Sequence, residues 1–177
     1  ENFSIFINKL QSLEGFEVEN YILPEEFKRS HFIHDKIYTK CLSYYFKAEW
    51  ESNRGKLSNT LKDMIEKGLK VGNNDYYCFL SEQESLSKKF NKIFDKYDAV
   101  LCLSAADDAP KFQTIIDPKD HSLLFTMYHV PSISIPMLKG SNGLPLGIQL
   151  SSRKYSDYDL FLIADEVFKG IQSPKHE

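Results

Sequence analysis

Residues 130–150 read VPSISIPMLKGSNGLPLGIQL, and this stretch decides the fold. Its first part, 132–136, is rich in β-forming residues and is framed by prolines, which is typical of a strand. The polar segment 140–143 contains two glycines and predicts a turn. Residues 144–150 return to an apolar pattern, in which Gly147 allows another backbone to approach closely. The stretch therefore predicts two strands joined by a turn.

Two further segments outside this stretch have the pattern of strands. Residues 99–103 form a continuous apolar run, which is typical of a strand covered on both faces, as in a parallel sheet. Residues 16–23 are rich in β-formers and are closed by Pro24, so we expect another strand there.

Between the expected strands, apolar residues recur at helical spacing. The helices predicted from this pattern cover residues 3–13, 25–50, 58–69, 76–96, 121–128 and 156–170. Ser58 is a helix-capping residue type, and Gly170 is expected to end the last helix. The alternation of helices with buried strands predicts one α/β domain over residues 1–170, followed by a polar tail at 171–177.

Composition and charge exclude several classes of protein. The chain has 177 residues, of which 42% are hydrophobic, and its formal net charge is -3. A globular core is therefore expected, whereas nucleic acid is not an expected partner, because proteins that bind its phosphates usually carry a strongly basic patch. No apolar run approaches the roughly 18–20 residues that span a bilayer, so we expect no membrane association. The cysteines lack C-x-x-C spacing and favour a reducing, cytoplasmic location.

The residues that could carry chemistry do not form a catalytic or metal-binding pattern. His31 and His34 lie three apart on a predicted helix, but zinc needs three or four converging ligands and no partner has matching spacing. Ser-x-x-Lys occurs about as often as chance predicts in a chain so rich in serine and lysine. Cys102 lies inside an apolar run, where a buried thiol is inert. We expect no cofactor and no metal ion.

Two loop segments resemble sites but have simpler interpretations. Gly140-x-x-Gly143 precedes a strand rather than a helix, so no helix N-terminus is available there to hold a phosphate. Asp107 and Asp108 could pair as an acid and a base, but the sequence around them is typical of a solvated loop. On composition and spacing alone, the chain is an α/β domain without a catalytic apparatus.

A series of motifs stands in one order along the second half of the chain. In that order they are Tyr97-Asp98-Ala99-Val100-Leu101, Ser104, Ala109-Pro110, Asp117-Pro118, Phe125-Thr126, VPSISIP at 130–136 and GSNGLPLGIQL at 140–150. Their order and spacing resemble the C-terminal half of the amidase signature family, and the resemblance covers about residues 1–170. The sequence opens with Glu1 rather than Met, so we expect a piece of a longer polypeptide.

The resemblance implies a fold and a reaction. The fold is α/β, the C-terminal part of an α/β/α sandwich with a mixed β-sheet. In this family one serine of a Ser–Ser–Lys arrangement attacks an amide carbonyl to form an acyl-serine intermediate, and the lysine acts as the base through the other serine. Backbone N–H groups of a glycine/serine-rich loop hold the oxyanion. Those groups belong to the N-terminal half of the family's fold, and nothing here matches their G-G-S-S-G loop. The chain is therefore expected to be a fragment of an amide hydrolase that lacks catalytic residues and is inactive alone.

The resemblance also implies binding residues and partners. Ser104, Phe125 and Thr126 would approach the acyl or leaving-group pocket and contact a small amide substrate. Phe125 stands where the family usually has Trp, and His129 stands where it usually has Gly. The main partner would be the missing N-terminal half. A severed sandwich would expose apolar surface, which favours pairing with that half or with a second copy as a homo-oligomer.

Two other functions stay open. The chain could be a non-enzymatic binding or scaffold module that retains the fold. It could also be similar to a subunit of an amidotransferase that acts on charged tRNA, although the Asn-Leu-Ala-Gly typical of that protein is absent, since residues 127–130 read Met-Tyr-His-Val. The coding sequence upstream of Glu1 discriminates between the enzyme and the module.

Overall fold

The computed structural model describes residues 2–112 and 122–172. Within these ranges the elements are α1 (Asn2–Gln11), α2 (Ser30–Tyr45), α3 (Lys47–Ser52), α4 (Asn59–Leu69), α5 (Asn73–Asn91), β1 (Val100–Leu103), α6 (Ser122–Tyr128), β2 (Ser132–Lys139), β3 (Pro145–Ser151) and α7 (Asp157–Gln172). The chain forms two compact units, the first from the residues up to Ile22 and from Phe90 onward, the second from Leu23 to Lys89. A single domain over residues 1–170 stays a prediction. Of the described helices, none combines the length and the apolar character needed to cross a membrane.

The first unit is built around a three-stranded sheet in the order β1-β3-β2. β3 pairs antiparallel with both neighbours, so that Leu101 and Ile133 both lie opposite Leu150. The three strands predicted from the motif-bearing part of the sequence are confirmed, and so is the α/β class. The parallel pairing suggested for residues 99–103 is wrong for the described strands, because an apolar run indicates burial and not the direction of the neighbouring strand.

One face of this sheet carries the core of the first unit. Ile148 and Leu150 are two residues apart on β3, so their side chains point to the same face. The buried cluster joins that face to α1 and α7, and its members are Phe6, Leu10, Ile135, Ile148, Leu150, Leu160, Ala164 and Val167. The amphipathic helices predicted at the two ends of the chain are therefore confirmed, and both pack on the sheet.

The last helix does not end where the sequence predicts. α7 continues through Gly170 to Gln172, so residues 171–172 belong to the helix and not to the predicted tail. A Cβ atom at Gly170 would lie 2.8 Å from Cδ1 of Leu13. The glycine therefore allows close packing rather than ending the helix. Residues 173–177 of the predicted tail lie outside the described residues.

The strand predicted over residues 16–23 is wrong. No residue in this segment is in a strand, and hydrogen bonds from side chains of other segments fix its position. Nε2 of Gln11 donates to the carbonyl of Val18 over 3.0 Å, and Nζ of Lys96 donates to the carboxylate of Glu19 over 2.7 Å. Its β-forming composition had no neighbouring strand to pair with in the described residues, and β-propensity depends on such context.

The second unit is helical, and its packing depends on one glycine. α2 contacts α4 at Gly68, where a Cβ atom would lie only 1.9 Å from the backbone oxygen of Thr39. Only glycine allows the two helices to approach so closely. Ser58 caps α4 as predicted, since its hydroxyl accepts a hydrogen bond from the N–H of Leu61 over 3.2 Å.

Two helix boundaries in and near the second unit differ from the sequence-based prediction. The helix predicted over 25–50 is divided into a 3-10 turn at Glu25–Arg29, then α2 and α3, which are separated at Phe46. The helix predicted over 76–96 begins earlier, at Asn73, and passes into a 3-10 turn at Lys92–Asp95. Apolar spacings of three to five residues do not fix where the backbone hydrogen-bonding pattern changes.

Candidate functional site

The second face of the sheet is polar. Along β2, Ser132 and Ser134 alternate with Ile133 and Ile135, so the serines point away from the core face. Both serines are exposed, whereas Ile135 is buried. Ser134 lies opposite Gln149 of the central strand. We call the following residues the polar face: Ser104, Ser132, Ser134, Gly147 and Gln149.

Gly147 lets two serine hydroxyls approach the central strand. A Cβ atom there would lie 2.4 Å from Oγ of Ser104 and 2.5 Å from Oγ of Ser134. The hydroxyl and the N–H of Ser104 both donate to the carbonyl of Gly147, each over 2.9 Å. The hydroxyl proton of Ser104 is therefore donated to a carbonyl oxygen. A serine nucleophile instead donates its proton to a general base, so this geometry does not activate Ser104.

Gln149 carries an unsatisfied acceptor on the same face. The residue is only 6% exposed, and its Nε2 donates to Oγ of Ser132 over 3.3 Å. Its Oε1 has no hydrogen-bond partner within residues 2–112 and 122–172. A buried acceptor without a partner costs about 1–3 kcal/mol, and such groups are rare in folded proteins.

Two carboxylates fasten the loop after β1 to the turn between β2 and β3, and we call Asp107 and Asp108 the carboxylate clasp. Asp107 accepts hydrogen bonds from the N–H and the hydroxyl of Ser141, over 2.9 and 2.6 Å. Asp108 accepts from the N–H and the side-chain amide of Asn142, over 3.0 and 2.8 Å, and from the N–H of Leu144 over 2.9 Å.

The prediction that this segment is a solvated loop is wrong for Asp108. Asp108 is buried, with 6% of its surface exposed, and only Asp107 is open to solvent. Both carboxylates accept hydrogen bonds from residues of the turn and do not form an acid–base pair. The hydroxyl and the N–H of Ser141, with a smaller effect of the Asp108 N–H, lower the pKa of Asp107 below its usual value.

The other two predicted binding residues lie on α6. Phe125 is 4% exposed, and its ring packs beside Phe90 with 6.2 Å between ring centroids, so it contributes to the core. Thr126 is exposed, and its carbonyl accepts from the N–H of His129 over 3.2 Å. No hydrogen bond joins either residue to Ser104 in the described part of the chain. Their substrate-binding role stays a prediction.

His129 has a backbone conformation that favours glycine. Its φ is 55°, in the left-handed region. Glycine adopts this conformation without strain, whereas a residue with a side chain, such as histidine, does so at a cost of about 1–2 kcal/mol.

The described residues contain no cluster of metal ligands, and the thiol of Cys102 is shielded by burial. Across residues 2–112 and 122–172, no three His, Cys, Asp or Glu side chains converge as metal ligands. Burial raises the pKa of the Cys102 thiol to about 11, so the thiol stays protonated at neutral pH, as expected for an inert cysteine. Asp117-Pro118 of the motif series lies outside the described residues.

Known sequences similar to this chain are amidases and related proteins. The family described as Amidase matches residues 10–161. A protein of Thermotoga maritima named as one subunit of the glutamyl-tRNA(Gln) amidotransferase is 33% identical over 101 residues, which cover 54% of this chain and 21% of that protein. A fatty acid amide hydrolase of Medicago truncatula is 24% identical over 178 residues, covering 92% of this chain and 29% of that protein.

Solved structures similar to this chain include an amidase and an allophanate hydrolase. A crystal structure of an amidase matches with a TM-score of 0.77 at 18% identity, covering 91% of this chain and 40% of that one. An allophanate hydrolase of Kluyveromyces lactis matches with a TM-score of 0.78 at 17% identity, covering 94% of this chain and 28% of that one. At this identity the likeness establishes the fold. The chain spans 21% of the Thermotoga maritima protein and 40% of the solved amidase.

Proposed function

This chain belongs to the amidase family, and from that premise we propose that it is the C-terminal portion of an amide hydrolase. The whole protein would cleave a small carboxamide through an acyl-serine intermediate. Its nucleophile and base would come from an N-terminal half outside residues 1–177. The observation that carries the proposal is the family match over residues 10–161, which includes all three strands of the sheet.

The polar face of the sheet is consistent with an N-terminal half that packs over it. Ser132 and Ser134 are exposed there, and Oε1 of Gln149 is buried without a donor in the described residues. We propose that the N-terminal half covers this face. The solved amidase that this chain matches is long enough to contain such a half, since the chain covers 40% of it.

The proposed substrate contacts are those of Ser104, Phe125 and Thr126. The hydroxyl of Ser104 donates to a carbonyl, but its oxygen retains acceptor capacity for a substrate amide N–H. Phe125, as a buried ring, would shape the wall of the pocket without a polar contact. The exposed Thr126 would offer a hydroxyl to the acyl or leaving group. A cytoplasmic location, and the absence of nucleic-acid and membrane partners, belong to the same proposal.

The coding sequence upstream of Glu1 tests this proposal. We expect a continuous reading frame that contains a lysine and, further along, a glycine- and serine-rich loop with two serines. A stop codon directly upstream, or unrelated sequence, would contradict it and favour the non-enzymatic binding or scaffold module.

A second candidate function is that of an amidotransferase component. It is favoured by the 33% identity to a protein named as part of the glutamyl-tRNA(Gln) amidotransferase, and disfavoured by the absence of Asn-Leu-Ala-Gly at residues 127–130. In that case the amide nitrogen would pass to glutamyl-tRNA instead of being released. Ammonia release from a simple amide without tRNA supports the hydrolase, whereas nitrogen transfer that requires charged tRNA supports the amidotransferase.

A further inference from the structure

A surface cavity in the second unit, open to solvent, has lysine side chains in its lining. Its volume is about 220 Å³, and its lining residues are Lys36, Lys67, Lys70, Val71, Asp75 and Phe79. Three lysines and one aspartate are among its lining residues, so the residues around it carry a net positive charge. We call it the lysine cavity.

The close helix contact at Gly68 brings these lysines together. Gly68 lies against the backbone of Thr39, which fixes the approach of α4 to α2. Lys67 directly precedes Gly68, and Lys36 lies almost one helical turn before Thr39. Lys70 is three residues after Lys67 at the end of α4, so the two side chains lie on the same side of the helix.

The walls of the lysine cavity are held in place by contacts of their own. Val71 is 7% exposed, and its carbonyl accepts a hydrogen bond from Nζ of Lys40 over 2.7 Å. Nζ of Lys36 lies 5.2 Å from the centroid of the Phe32 ring, which packs edge-on against Phe79 with 5.8 Å between centroids.

The lysines of the lysine cavity have few ion pairs that would compete with a ligand. Lys36 has one weak ion pair, with Asp35 at 4.0 Å. In the part of the chain that the structure describes, Lys67 and Lys70 have no ion pair, although Glu66 beside Lys67 pairs with Arg54. An anion in the cavity would therefore not have to displace a strong carboxylate partner.

We propose that the lysine cavity binds a small phosphate-bearing ligand. Lysine ammonium groups bind phosphate as point charges, and here they would hold the phosphate group of the ligand. Val71 and Phe79 would contact a short apolar body attached to it. A volume of about 220 Å³ suits inorganic phosphate or a small phosphomonoester, because pockets that bind drug-sized ligands have volumes of about 300–1,000 Å³. This inference does not depend on the proposed amide chemistry.

The test measures binding of two probes to the complete 177-residue chain by calorimetry. Inorganic phosphate and phenyl phosphate should both bind, phenyl phosphate more tightly, and added salt should weaken both. In the triple variant K36A/K67A/K70A we expect the Kd for phenyl phosphate to rise about tenfold or more, since each exposed charge contributes modestly. Benzyl alcohol, which lacks the phosphate, should not bind measurably.

A matched control carries the same change in charge outside the cavity. The variant K47A/K56A/K88A removes three lysines from the same unit and should bind both probes like the parent chain. Absence of binding by the parent chain, equal weakening in both triple variants, or unchanged binding in K36A/K67A/K70A would overturn the proposal. If K36A/K67A/K70A does not fold by circular dichroism, the single variant Lys67→Glu decides in its place, because Lys67 is exposed.

Discussion

Within each of the two units, a different kind of contact places the tightest requirement on particular residues. In the first unit, polar side chains reach across the sequence to particular backbone groups, as Asp108 does to Asn142 and Leu144. In the second unit, α2 and α4 pack by shape, through the missing side chain of Gly68. Directed polar contacts need particular residues at particular positions, whereas helix packing accepts many apolar sequences. This explains why the recognisable motifs concentrate in residues 97–150.

The largest expected effect is in the second unit. The substitution Gly68→Ala places a Cβ atom 1.9 Å from the oxygen of Thr39, so α2 and α4 must separate. We expect it to lower the free energy of unfolding by about 3 kcal/mol, measured by urea denaturation.

The control for this substitution is Gly55→Ala in the same unit. A Cβ atom at Gly55 has nothing within 4 Å, so its effect should stay below about 1 kcal/mol. Equal effects of the two substitutions would show that the helix contact at Gly68 does not determine the packing of this unit.

The next effect is in the first unit, at the carboxylate clasp. Asp108→Ala removes the acceptor of three hydrogen bonds from Asn142 and Leu144. We expect a loss of about 2 kcal/mol in the free energy of unfolding, because hydrogen bonds to a charged group are strong and their donors lose their partner. The exposed Asp98→Ala is the control and should change little; if both variants unfold at the same urea concentration as the parent, the carboxylate clasp does not stabilise the turn.

A smaller effect is expected at the polar face. Ser104→Ala removes the hydroxyl that donates to the carbonyl of Gly147 but leaves the backbone hydrogen bond to the same oxygen. We expect a loss of about 1 kcal/mol, measured in the same way. Ser85→Ala, at an exposed position of α5, is the matched control. An increase in stability on Ser104→Ala would contradict the geometry described for this serine.

The smallest effect is a pH dependence at Asp107. Hydrogen bonds from Ser141 lower its pKa in the folded state, so its contribution to stability is complete above the unfolded pKa of about 4 and is lost as the pH falls through the folded pKa. The midpoint of thermal unfolding should therefore fall less steeply below about pH 4 in Asp107→Asn than in the parent chain. Parallel curves for the two proteins would show that the carboxylate of Asp107 is not held by the turn.

Local features of the structure were predictable from the sequence, and features that depend on distant residues were not. Ser58 caps α4 as predicted, because the cap involves only its near neighbour Leu61. The sequence around Asp108 predicts a solvated loop, because the residues that bury it stand 34 and 36 positions further along the chain. The segment 16–23 has the composition of a strand but found no strand to pair with in the described residues.

The candidate site was also only partly predictable. The family resemblance names Ser104 as a binding residue, a role that stays a prediction, and sequence reasoning names neither Ser134 nor Gln149 as part of the polar face. A signal for Ser134 was present, since serine alternates with isoleucine over residues 132–135 and this pattern predicts one polar face. The isolated acceptor of Gln149 had no such signal, because it depends on how three strands are ordered in the sheet.

The most direct test of the central claim is the rate at which the isolated 177-residue chain hydrolyses a simple aryl amide, with and without a serine-directed inhibitor. We expect no hydrolysis above the uncatalysed rate, because under the proposed function the nucleophile and its base come from an N-terminal half outside residues 1–177. Hydrolysis at an enzymatic rate that the inhibitor abolishes would contradict the account, since a complete catalytic serine would then lie within these residues.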